Sequence, residues 1–219
     1  CTASWVESIN IVGSKHTKKH IILREIQHPI PGEFDTMLSV QDRDRIYNLG
    51  LFSTVEINQM DSSYIVFVVE TFNFLPMPIV EYEEGKGFSY GARITYLNFR
   101  GLNEKITIGG IGGEEITYFF NFIDPWVYGD HGSIKAEIYQ FHSESANYNY
   151  SYQKRAMLIG FGFFRGKYHK FKSELGYEII KLNTTSIHSE GNTRKTYSNG
   201  DSTYNYIRWM ISYKYDTRD

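Results

Sequence analysis

The sequence predicts a two-part chain: a small α+β domain of order β-α-α-β-β, then an all-β antiparallel barrel segment of about six strands that spans a membrane. Three observations predict it. Apolar spacing is helical in two places before residue 75 and alternates with a period of two after it. Aromatic residues make up 16% of the 219 residues, with 18 Tyr and 15 Phe, which suits strands carrying interfacial aromatic side chains. The connections between the alternating segments are short at one end of the strands and longer at the other, as in membrane barrels.

Composition removes several classes of function. A formal net charge of -2 leaves no basic footprint for nucleic acid. No run approaches the roughly 20 apolar residues of a membrane helix, which excludes helical spans and leaves a barrel open. The single cysteine, Cys1, permits no internal disulfide. A cysteine at this position resembles the acylated first residue of a processed bacterial lipoprotein. Cys1 is therefore the expected lipid attachment, with residues 1–4 as a short leader.

Residues 5–75 carry the first domain. Val6 to Val12 reads as a strand ended by Gly13. Thr17 is expected to cap a helix through Ile21, Ile22, Leu23 and Ile26, although Lys15, Lys18 and Lys19 oppose its dipole. Asp35 or Thr36 is expected to cap a second helix, with Met37, Val40, Ile46 and Leu49 inward, Gln41 to Arg45 in water, and Gly50 as a left-handed stop. Ser53 to Gln59 and Tyr64 to Val69 then read as two strands around an Asp61-Ser62 turn. The segment from Arg45 to Val55, with its Gly50-Leu51-Phe52 step, resembles a POTRA domain. That resemblance implies a periplasmic module that receives unfolded client chains, by strand addition to an exposed sheet edge.

Pro76 and Pro78 open an expected linker over 76–87, and the barrel segment is expected over 88–219. Phe88, Tyr90, Ala92, Ile94 and Tyr96 alternate with polar residues and Gly91 in the expected first strand. Ile106 to Phe122 is expected as one long strand closed by Asp124-Pro125-Trp126. Further strands are expected near 133–141, 148–164 and 171–179. A sixth carries Ile207, Trp209, Ile211, Tyr213 and Tyr215. If the first domain is periplasmic, the outer loops are 100–103, 142–147 and 183–202, and the inner turns lie near 127–132 and 165–170.

This stretch resembles the barrel start of the BamA-like outer-membrane assembly and translocation superfamily. The matching segments are Ser89 to Asn98 with Arg100-Gly101-Leu102-Asn103, Phe119 to Trp126, and Tyr215 to Asp219. The resemblance implies a non-enzymatic protein of the bacterial outer membrane, with membrane lipid and unfolded outer-membrane proteins as partners. It makes Phe88, Tyr90, Gly91, Ala92, Ile94 and Tyr96 the candidate gate strand. Ile207, Trp209, Ile211, Tyr213 and Tyr215 form the candidate closing edge. The alternative is a lipid-anchored, self-assembling pore or scaffold without client insertion. Six strands are too few to close a barrel, for which about eight is the usual minimum. Closure is then expected from further chain or from a second copy, a dimer being favoured.

No constellation of reactive residues accompanies this pattern. His16, His20 and His28 are expected as surface groups, and no His pair has metal-ligand spacing. Gly109 to Gly113 lacks the Lys-Ser/Thr of a phosphate loop and lies inside a strand pattern. Neither a catalytic residue, a metal site nor a cofactor is expected.

Overall fold

The computed structural model describes residues 5–84, 87–113, 115–128, 132–144, 150–165, 169–190 and 193–215. Its order is β1 (Trp5–Val6), β2 (Ser8–Val12), α1 (Lys19–Leu23), β3 (Gly32–Glu33), α2 (Thr36–Asn48), β4 (Phe52–Met60) and β5 (Ser63–Glu70). Then follow β6 (Phe74–Glu83), β7 (Gly87–Phe99), β8 (Glu104–Gly112), β9 (Glu115–Tyr128), β10 (Gly132–Glu144), β11 (Tyr150–Arg165), β12 (His169–Glu190) and β13 (Thr193–Tyr215). Two compact units result: residues 1–75 with 96–104, and residues 76–95 with 105–219.

The expected fold class is overturned. The chain is nearly all β, 73% strand against 10% helix, with a large eight-stranded antiparallel sheet in place of about six strands and no POTRA-like α+β domain. Among the described residues, helix is confined to the short α1 and to α2. Thr17 does not cap α1: Lys18 holds that position without a side-chain hydrogen bond, and Lys19 adds a charge that the helix dipole disfavours. Thr17 is engaged elsewhere, its N–H donating to Glu70 at 2.7 Å.

In the first unit, β5 is the central strand of a three-stranded sheet, parallel to β2 and antiparallel to β4, and β1 pairs with β3. The core gathers Val6, Ile21, Ile22, Ile46, Leu51, Phe52, Val55, Tyr64, Val66 and Val68. Helix α2 is capped by Asp35, whose side chain accepts from Met37 N and Leu38 N. Its inward face differs from the one expected. Ser39, Asp42 and Ile46 are buried, whereas Met37 and Val40 are exposed. Asp42 turns inward because the core offers it donors: Gln27 N at 2.9 Å, His28 N at 3.2 Å, Tyr64 Oη at 2.9 Å and the Arg45 guanidinium. Burial, and after it the hydrogen bond to Asp42, raises the pKa of the Tyr64 hydroxyl. His28 is not a surface group either. It is buried against Tyr64, and its Nε2 accepts from Asp35 N at 2.9 Å, which places the imidazole proton on Nδ1.

The second unit is a meander. Its eight strands lie in the order β13-β12-β11-β10-β9-β8-β7-β6, each pairing with its chain neighbour. Three expectations about this region are corrected. Most of the expected 76–87 linker is strand β6, in which Val80 and Tyr82 alternate with Glu81 and Glu83. The expected long strand from 106 to 122 is two strands, β8 and β9, because the chain turns back after Gly112. Of the expected 183–202 loop, residues 183–190 and 193–202 are strand, paired except at an irregularity over 199–200. Its Thr, Tyr and Ile residues have the β propensity that its Gly and Asn content masked.

Candidate functional site

The register of the sheet sorts side chains into two faces. Residues directly opposite in an antiparallel pair share a face, so a row can be followed across six strands. One row is Ile106, Phe122, Ala136, Ile159, Leu175 and Trp209; the next is Ile108, Phe120, Ile138, Met157, Tyr177 and Ile207. These rows contain no charged residue. The other face alternates with them: Thr107, Asn121, Glu137, Leu158, Gly176 and Arg208 form one row, and Gly109, Phe119, Tyr139, Ala156, Glu178 and Tyr206 another. This second face carries ion pairs between Lys154 and Glu178 (2.8 Å), Arg208 and Glu174 (2.8 Å), and Arg208 and Glu178 (3.2 Å). A wall with apolar rows on one face and ion pairs on the other fits hydrocarbon on one side and water on the other.

Glycines let the first strands approach closely. A Cβ on Gly91 would lie 2.0 Å from the Gly110 carbonyl oxygen, and one on Gly109 would lie 2.3 Å from the Phe119 ring. The Gly109 to Gly113 run is therefore packing and turn, as its place in a strand pattern implies. The Asp124-Pro125-Trp126 step does not end β9, which continues to Tyr128. Asp124 Oδ1 accepts from Trp126 N at 2.9 Å within the strand.

The two ends of the strand order are β6 and β13. The candidate closing residues Ile207, Trp209, Ile211, Tyr213 and Tyr215 all lie on β13, exposed on the apolar face. The candidate gate residues Phe88, Tyr90, Gly91, Ala92, Ile94 and Tyr96 lie on β7, one strand in from the end. Strand β6 takes the terminal position, coupled to β7 by Tyr82 against Phe88 (ring centroids 4.9 Å apart) and by Arg93 Nη2 to Met77 Sδ at 3.3 Å. Pro76 and Pro78 fit there because proline lacks the N–H that an interior strand must donate. The signal for β6 was present in its Val80/Tyr82 alternation; its prolines suggested a linker instead. Cys1, the expected lipid attachment, lies outside the described residues.

The β7–β8 turn supplies a site that sequence reasoning misplaced. Residues 96–104 fold into the first unit, so 100–103 is not an outer loop if that unit is periplasmic. Four residues adopt positive φ here: Asn98 (56°), Arg100 (58°), Gly101 (76°) and Asn103 (63°). Asn98 holds the turn from both sides. Its Nδ2 donates to Thr17 Oγ1 at 2.8 Å, and its Oδ1 accepts from Asn103 N at 2.8 Å. His16 Nε2 donates to Asn98 O at 2.8 Å, and Lys18 N donates to Gly101 O at 2.9 Å. Arg100 pairs with the buried Glu104.

Glu70, at the end of β5, organises the loop that receives this turn, accepting from His16 N at 3.0 Å and Thr17 N at 2.7 Å. Burial pushes its pKa up, but hydrogen bonds from the Thr17 backbone and side chain and from the His16 and Lys15 backbones outweigh it, so the net shift is downward. A depressed folded-state pKa contributes stability above the unfolded value, and that stability is lost as pH falls through the folded value. Glu70→Gln should therefore weaken the first unit by about 1–2 kcal/mol at neutral pH and flatten its acid unfolding below the ordinary carboxylate range. Urea titration of both proteins across that range checks this; an equal wild-type margin at neutral and acid pH would refute it.

A meander with an apolar face, an ionic face and two terminal strands defines a membrane β-barrel wall. Residues 98–219 match the Omp85 superfamily domain, and the chain belongs to that superfamily, whose β-barrels are bacterial outer-membrane proteins. Among solved structures it is similar to BamA from Haemophilus ducreyi, crystallised lacking POTRA domains 1-3. That match has a TM-score of 0.77 and 18% identity, and covers 99% of this chain and 45% of that one. CdiB from Acinetobacter baumannii matches at 0.51 and 12%, covering 95% and 46%; CdiB from Escherichia coli matches at 0.50 and 9%, covering 98% and 42%. The chain thus spans less than half the length of the structures it matches. No curated protein sequence matches it.

Proposed function

We propose that this protein is an outer-membrane protein assembly or translocation component, in which terminal strand β6 offers a separable edge to an incoming client strand. The observation that carries the reading is the place of β6 in an Omp85-superfamily wall: a terminal strand with two prolines and a lipid-side Val80 that is 73% exposed. Backbone pairing at such an edge is tolerant of client sequence, as insertion of many different barrels requires. The gate is therefore centred on β6, with β7 as its support. The first unit lies in the periplasm in this reading, and an acyl chain on Cys1 adds a tether to the membrane.

Disulfide capture tests it. A Val80→Cys protein, incubated with a stalled client carrying one cysteine in its terminal strand, should form a mixed disulfide. Ala136→Cys, on the same face of interior strand β10, should form none. Equal capture at both positions, or none at either, sinks the gate. The ionic face favours one other reading, a water-filled pore without client insertion. Liposomes holding the protein would then conduct ions without accelerating the folding of added barrel proteins.

A further inference from the structure

The apolar face is not uniform along the strands. On β10 it runs Ile134, Ala136, Ile138 and then Gln140 and His142; on β11 it runs Phe161, Ile159, Met157 and then Arg155 and Gln153; on β12 it runs Leu175, Tyr177, Ile179 and then Lys181. The change occurs within two adjacent rows across three neighbouring strands. Gln140, Arg155 and Ile179 are paired in one row, and His142, Gln153 and Lys181 in the next. Arg155 and Lys181 are thus diagonal neighbours on adjacent strands, roughly 7–8 Å apart at the backbone and within reach of one ligand for long side chains.

Both cations are exposed, and neither makes an ion pair among the described residues. Glu137, Glu174 and Glu178 sit at the opposite parity, on the ionic face. Beside Arg155 lies an open groove of about 490 Å³, with Phe120, Ile138, Met157 and Tyr177 in one row of its lining and Gln140, Arg155 and Ile179 in the next. Two cations without an ion pair among the described residues, next to an amide and flanking an apolar trough on a lipid-facing surface, match an amphiphile with a phosphate beside an acyl chain. A guanidinium presents the planar pair of donors that phosphate oxygens accept.

We infer that this patch is a binding site for a phosphorylated lipid of the outer leaflet, with phosphate held by Arg155 and Lys181 and acyl chain laid along the Phe120–Ile138–Met157–Tyr177 groove. The outer location rests on the proposed periplasmic place of the first unit. The Arg155 row lies on the half of β10 and β11 nearer the β10–β11 connection, and the antiparallel meander puts that connection at the opposite ends of the strands from the β7–β8 connection.

The test uses the full chain in phosphatidylcholine nanodiscs doped with diphosphoryl lipid A, read by native mass spectrometry. Lipid A should remain bound to the wild type after phosphatidylcholine is stripped. The R155Q/K181Q protein should retain it about tenfold or more weakly, and K172Q, on the ionic face, should retain it as the wild type does. Met157→Trp, which fills the groove and leaves both cations, should also weaken retention. Heat-modifiable migration on gels confirms that each variant is folded. Equal retention by R155Q/K181Q, or equal retention of lipid A lacking its phosphates, overturns the site. Displacement by millimolar inorganic phosphate alone would show that the groove contributes nothing, and overturns it too. Labelling of a Lys181→Cys protein in intact cells by a membrane-impermeant maleimide fixes the leaflet; labelling only after permeabilisation overturns the outer assignment. Client capture at Val80 is scored separately, so loss of the gate leaves the lipid result interpretable.

Discussion

Asp42→Ala should destabilise the first unit by about 3–5 kcal/mol, the usual cost of removing one partner from a buried charged network. Asp42 is 0% exposed, and its two oxygens serve two backbone N–H groups, the Tyr64 hydroxyl and Arg45. Truncation leaves four donors facing a cavity that they cannot pair across. Asp42→Asn should cost less, because the amide keeps one acceptor while its NH₂ meets one of the former donors. Hydrogen exchange of the Gln27 and His28 amides in the intact chain reads the effect directly. Protection at those two positions unchanged in Asp42→Ala would remove Asp42 from the centre of this core.

Gly101→Ala should be nearly as damaging, for a different reason. At φ 76° an alanine pays about 1–2 kcal/mol for the left-handed conformation. Its Cβ would also lie 2.2 Å from the His16 carbonyl oxygen, a backbone atom that cannot rotate away. Gly50 provides the control. Its φ is 70°, yet a Cβ there meets nothing within 4 Å, so Gly50→Ala should cost only the conformational part. The difference between the two variants measures the clash. Relief of the clash requires the Lys18 N to Gly101 O bond to open, so the Lys18 amide should exchange faster in Gly101→Ala and stay protected in Gly50→Ala. Equal stabilities for the two would mean that the turn is only loosely held by the first unit.

The wall was legible in the sequence where strands are long and one face is dry. The Ile207 to Tyr215 alternation places each residue on the face that it occupies, because burial against lipid imposes the period directly. Legibility failed where local signals carry two meanings. Pro76 and Pro78 mark linkers and edge strands alike. Gly109 to Gly113 keeps the same parity on both sides of a tight turn, so two strands read as one. Asp42 looked like part of a wet helical face, since charged residues surround it in sequence and its partners come from distant segments. The role of Asn98 was invisible for a related reason: Thr17, its partner, is 81 positions away.

The two-face register also limits how this chain can change over generations. One residue deleted within β10 would send Ile134, Ala136 and Ile138 toward water and carry Lys135 and Glu137 into lipid, where a lysine at mid-depth costs about 2–4 kcal/mol. Replacement of one residue by another is tolerated far better than a shift in count, so length variation is confined to places where parity does not matter. One such place is visible. Between the Asn183–Asp201 and Thr185–Ser198 pairs β13 has one more residue than β12, and Gly200, at φ 120°, lies in that irregularity beyond Lys181 and the apolar rows. The wall therefore behaves like a reading frame: odd insertions survive at its polar ends, and within the lipid-facing rows only paired ones preserve its meaning.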